Sequence, residues 1–131
     1  MSSEGENSSA VLIIDQQPEI LLLLSGMLEN KGFRTLLART ASEALEIARR
    51  DYLPIDLILC NTRIHNMMVP DLLTALQEIR PGLRAVLMSA FVEGGIVRIS
   101  LAAGSGGLDR DLIAAIRAAL RASRTGAGAA D

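Results

Sequence analysis

The chain has 131 residues, half of them hydrophobic and 2% aromatic, with a formal charge of −2. That length supports one domain whose core is built from Leu, Ile, Val, Ala and Met rather than aromatic rings. The slightly acidic balance argues against direct nucleic-acid binding, and a single cysteine, Cys60, excludes an internal disulfide and offers no zinc spacing. The longest apolar run, Ile20 to Leu24, is too short for a bilayer. No basic region followed by an apolar stretch opens the sequence, so neither a secretion signal nor membrane contact is expected. A cytoplasmic location is the default.

Residues 1–9 are polar and lack apolar periodicity, and are read as a disordered arm. Ala10 to Ile14 forms a buried strand ending at Asp15. Pro18 suits a first helical turn, and the helix runs to about Lys31, stopped by Gly32. Ile20, Leu23, Leu24, Met27 and Leu28 give its core stripe. Phe33 to Ala38 is a weak strand at the sheet edge. Thr40-Ala41-Ser42-Glu43 reads as a capping box opening a second helix to about Arg50.

Next comes Asp56-Leu57-Ile58-Leu59-Cys60-Asn61, the centre of the chain. Four apolar residues in a row, without alternation, describe a strand buried on both faces. A third helix is expected from about Pro70 to Ile79, broken by Pro81-Gly82. Ala85 to Met88 is a fourth buried strand ending at Ser89. A Gly-flanked helix is expected over Ile96 to Ala103, a very short fifth strand at Gly107-Leu108, and a last helix from a cap at Asp109 to about Arg121. Leu112, Ile116, Ala119 and Leu120 face inward on that helix, and residues 125–131 form a flexible tail. Strands and helices thus alternate within one domain, residues 10–124. The alternation predicts an α/β architecture with a five-stranded parallel sheet covered on both faces. Ligands in such sheets bind beyond the carboxyl ends of the strands, which puts Asn61 at the centre of any site.

Four segments in order resemble the receiver domain of bacterial two-component response regulators. Val11-Leu-Ile-Ile-Asp15-Gln16 looks like the first strand and acidic loop. Pro54 to Ile64 looks like the third strand and phospho-acceptor loop. Ala85-Val-Leu-Met-Ser89-Ala90 looks like the fourth strand with its switch hydroxyl, and Leu101 to Gly107 like the turn before the fifth strand. The resemblance implies a three-layer αβα sandwich, the flavodoxin-like (CheY-like) fold, with strand order 2-1-3-4-5 and here a shortened fifth strand. It also implies a place in phosphorelay signal transduction.

The departures from the family pattern concern the pocket. Asn61 stands where the family has its phospho-accepting aspartate, and an amide lacks the anionic nucleophile for an acyl phosphate. Asp15 matches the first metal-binding carboxylate, but Gln16 stands at the second. The third ligand implied is the carbonyl of Arg63. Magnesium favours charged oxygen ligands, so its binding is expected to be lost or weak, with no cofactor in its place. The family's lysine has no counterpart, since no lysine follows Lys31, and the connection at Asp109-Arg110-Asp111 is about half a dozen residues short. Arg110 could supply a charge with different geometry. Leu108 replaces the aromatic switch residue, leaving Ser89 from the switching pair. A vestigial pocket of Asp15, Gln16, Asn61, Arg63 and Ser89, without catalytic residues, is therefore expected.

The implied function is a pseudo-receiver, a phosphorylation-independent protein-interaction module whose partner the sequence does not name. The alternative is a working phospho-receiver with a displaced acceptor such as Asp15. Plainer readings stand beside these. Asn61 could be a strand-end cap, Cys60 a small core residue, and His65 a solvated loop side chain. Gly104-Ser105-Gly106-Gly107 precedes a strand rather than opening a helix, which disfavours phosphate binding. Leu21 and Leu22 fall off the helical stripe. Either a rotated helix buries both, or they form an apolar contact surface for a homodimer or another protein.

Overall fold

The computed structural model describes residues 9–62, 68–101 and 112–121. The elements in order are β1 (Ala10–Ile14), α1 (Pro18–Asn30), β2 (Arg34–Ala38), α2 (Ala41–Ala48), β3 (Leu57–Asn61), α3 (Val69–Ile79), β4 (Arg84–Glu93), β5 (Ile96–Leu101) and α4 (residues 112–121). The strands lie in the order β2-β1-β3-β4-β5. Val11 pairs with Thr35 of β2 on one side and Leu57 of β3 on the other, and Asn61 pairs with Met88 of β4, all in parallel.

The unbroken apolar runs are explained by a core on each side of this sheet. Val11, Ile13, Leu57, Leu59 and Met88 meet Ile20, Leu24 and Leu28 of α1 and Leu112, Ile116 and Leu120 of α4. On the other face Leu12, Ile14, Ile58 and Cys60 meet Ala44 and Ala48 of α2 and Leu72 and Leu76 of α3. Strand side chains alternate between faces, so a strand covered twice must be apolar at every position. β2 has one strand neighbour and is partly exposed, as expected for an edge.

Local signals set the element ends. Pro18 opens α1. Gly32 closes it at φ 95°: its N–H donates to Glu29 O and that of Phe33 to Leu28 O, both 3.0 Å, a Schellman closure. At α2, Glu43 N–H donates to Thr40 Oγ1 at 3.1 Å, while the Glu43 carboxylate accepts the Arg39 N–H at 2.7 Å. The glutamate thus reaches one residue further back than a standard capping box.

The fifth strand corrects the sequence expectation. Residues expected to start a helix at Ile96 instead form β5, antiparallel to β4, so the parallel part of the sheet has four strands. Gly94 and Gly95, at φ 59° and 80°, make a two-residue turn joining Glu93 to its partner Ile96. Two consecutive positive φ values define the turn whose twist suits a hairpin. The β-branched residues around it favour strand, and β4 therefore runs five residues beyond Met88. The short strand at Gly107-Leu108, the Asp109 cap, residues 1–8 and the tail 125–131 lie outside the described residues; Ser9, expected to belong to the loose arm, is instead buried, and its carbonyl accepts the Arg34 N–H at 2.9 Å as the chain enters β1.

Leu21 and Leu22 part company. Leu21 is 3% exposed and joins the core, so it belongs to no surface; Leu22 is 68% exposed. Leu21, Leu24 and Leu28 follow the i, i+3, i+7 pattern, making the buried stripe wider than the sequence reading allowed. Leu23, placed in that stripe, lies largely outside it. Among the described residues no helix is long and apolar enough to cross a membrane.

Candidate functional site

The carboxyl ends of β1 and β3 and the Ala90 peptide within β4 converge on a small buried polar group. Asp15 follows β1 and Asn61 ends β3, and they are 1% and 2% exposed. The Asp15 N–H donates to Ala38 O at 3.0 Å, which fixes the backbone where β1 ends. One carboxylate oxygen, Oδ1, accepts the Gln17 N–H at 2.8 Å in a tight Asx turn leading into α1. The other, Oδ2, accepts the Asn61 side-chain N–H at 2.7 Å.

Asn61 also bonds to the main chain of β4. Nδ2 donates to Ala90 O at 2.7 Å, and Oδ1 accepts the Ala90 N–H at 3.2 Å. Both Nδ2 hydrogens therefore have acceptors. The amide orientation follows from its partners: a flipped amide would turn its oxygen toward the Asp15 carboxylate and the Ala90 carbonyl. Burial raises the pKa of Asp15 above its ordinary value, against the lowering effect of the Gln17 and Asn61 hydrogen bonds.

Asp15 and Asn61 together offer one carboxylate and one amide, both already hydrogen-bonded within the protein. A hard divalent cation needs several oxygen ligands, some of them charged. Both oxygens of the Asp15 carboxylate already accept N–H groups, and the Asn61 atom facing Asp15 is a donor nitrogen. Among the described residues no three His, Cys, Asp or Glu side chains gather at one point.

Of the site residues expected from sequence, the structure brings Asp15 and Asn61 into direct contact. Gln16 is half-buried beside Asp15, and Ser89 is half-buried, next in β4 to Met88, the partner of Asn61. Strand alternation turns Ser89 to the face opposite the Asn61 side chain. Arg63, His65 and Leu108 lie outside the described residues, as does the Gly104–Gly107 loop. Cys60 is fully buried; burial, then the negative charge of Asp15, pushes its thiol up to about 12. It is a core residue. The sequence reading missed Ala90 and Gln17, which act through main-chain atoms that no side chain announces. A cavity of about 450 Å³ opens at the other end of the sheet, between Ala10, Phe33, Thr35, Leu36 and Pro54, far from this group.

Four parallel strands between two helical layers, with a polar group beyond the central ones, define the flavodoxin-like class of α/β folds. The family described as "Response regulator receiver domain" matches residues 11–107, and the chain belongs to it. It is 27% identical over 95 residues to sporulation initiation phosphotransferase F of Bacillus subtilis, covering 72% of this chain and 75% of that protein. It is 26% identical over 80 residues to the transcriptional regulatory protein GlrR of Escherichia coli, covering 61% of this chain but 18% of that longer protein. A CheY-like receiver domain protein from Methanospirillum hungatei superposes with a TM-score of 0.72 at 22% identity, over 91% of this chain and 98% of that one. That structural likeness concerns the fold alone.

Proposed function

We propose that this chain is a pseudo-receiver: a protein-interaction module of two-component signalling that works without accepting a phosphoryl group and without Mg²⁺. One observation carries the reading. At the position matching the family's acceptor, Asn61 presents an amide whose nitrogen donates to Asp15 at 2.7 Å. An amide has no anionic oxygen to attack phosphorus. The same contact occupies the carboxylate oxygen that would otherwise face a cation. Output then passes to another protein, unidentified, through a surface that needs no phosphoryl signal. By analogy with the family, α2, α3 and α4 are candidates for it.

The test is incubation of the full chain with acetyl phosphate and Mg²⁺, followed by intact mass and peptide mapping. The expected result is an unmodified chain. A phosphoryl group on Asp15 would replace this function with that of a receiver using a displaced acceptor. Modification of any other aspartate would equally overturn the phosphorylation-independent reading.

A further inference from the structure

We infer that the Asn61 side chain acts as an extra rung of the β3–β4 ladder, holding the end of β4 and the hairpin beyond it in one fixed position. In a parallel ladder, every second residue of a strand turns both its N–H and its C=O to the same neighbour. Met88 does so toward β3, and its carbonyl accepts the Thr62 N–H at 2.7 Å. Ala90, two residues on, turns the same way, but β3 has ended at Asn61. The Asn61 amide supplies what the next peptide would have given: an acceptor for Ala90 N–H at 3.2 Å and a donor to Ala90 O at 2.7 Å.

Ala90 is 1% exposed, so water does not replace a missing partner cheaply. Ala90 also stands opposite Ile99, at the centre of the β4–β5 register. Whatever fixes its backbone therefore fixes the hairpin. The second amide hydrogen ties the same group to Asp15, so β1, β3 and β4 meet at one side chain. An aspartate there could accept the Ala90 N–H but could not, when ionised, donate to Ala90 O or to Asp15. The lock is thus a property of the amide, and its role in signalling rests on the pseudo-receiver reading above.

Amide hydrogen exchange on the full chain tests it, in the parent and in Asn61→Ala and Asn61→Asp. In the parent, the Ala90 amide is expected to exchange as slowly as those of Ile13 and Leu59 in the central strands. In Asn61→Ala, Ala90 and the β4–β5 amides should exchange about tenfold faster or more; in Asn61→Asp, which keeps an acceptor for the Ala90 N–H but loses both donated bonds, the β4–β5 amides should do so, with Ile13 and Leu59 unchanged in each. Fast exchange at Ala90 in the parent overturns the proposal, as does unchanged exchange in the variants. If the variants unfold, the parent measurement still decides it. Phosphorylation of the parent by acetyl phosphate would remove the pseudo-receiver reading while leaving the exchange result as it stands, so the two failures are distinguishable.

Discussion

A buried carboxylate beside a buried amide titrates differently from a carboxylate in water. Asp15 has two good hydrogen-bond donors, yet burial outweighs them and its pKa rises from 3.8. The sign of the consequence follows from proton counting. Between 3.8 and the raised native value, the folded chain binds more protons than the unfolded chain. Asp15 therefore contributes most to stability at the acid end, and that contribution falls as pH rises through the native pKa. Asp15→Asn removes the titration while keeping the shape, although its new N–H groups face existing donors at a pH-independent cost. Denaturant unfolding of parent and variant across this range should show the parent's relative stability declining as pH increases. A gap that stays flat, or one that grows with pH, would mean that the hydrogen bonds offset burial.

At the scale of elements, side chains repeatedly finish what the backbone leaves open. Asp56 precedes β3 and pairs with Ala10 twice, its N–H to Ala10 O and its Oδ2 from Ala10 N–H, both at 2.8 Å. Asn61 does the equivalent at the other end of the same strand. Arg80, just past α3, donates to Ala48 O and Arg50 O, satisfying carbonyls at the end of α2. Helix α1 gives a direct test of how such an element divides its residues. Leu21→Glu puts a charge in the core and should cost about 3 kcal/mol or more. Leu22→Glu alters an exposed position and should stay within about 0.5 kcal/mol. Unfolding midpoints separate the two, and mass in solution adds a second readout. A dimer converted to monomer by Leu22→Glu would place an interface on the outer side of α1, whereas a lone exposed leucine predicts no change in mass. The four parallel strands and first three helices were legible because uninterrupted apolar runs, Pro18, Gly32 and the Thr40–Glu43 pair each have one physical meaning. The hairpin was not. Gly94-Gly95 can flank a helix as readily as turn a strand, and a short apolar segment such as Ile96 to Leu101 fits either period. The meeting of Asp15 and Asn61 was legible because their side chains make it; Ala90 was hidden because its backbone makes the contact.

For the molecule as a whole, the central strand decides how the fold opens. β3 lies between β1 and β4, and its side chains enter both cores. Cys60, fully buried on the face covered by α2 and α3, cannot reach solvent unless one of these layers separates from the sheet. Its thiol, pushed up to about 12, also lacks the thiolate needed for attack while folded. On unfolding both protections vanish together. Labelling by a neutral thiol reagent near pH 8 should therefore report opening of the whole domain. The ratio of labelling rates in unfolded and native chains, corrected for thiolate fraction in the open state, gives an opening free energy. That value should equal the stability from denaturant unfolding, about 5–15 kcal/mol for a domain of this kind. A markedly smaller value would mean that α2 and α3 lift from the sheet while the rest stays folded. Agreement would show that the two cores, separated by one layer of strands, rise and fall as a single unit.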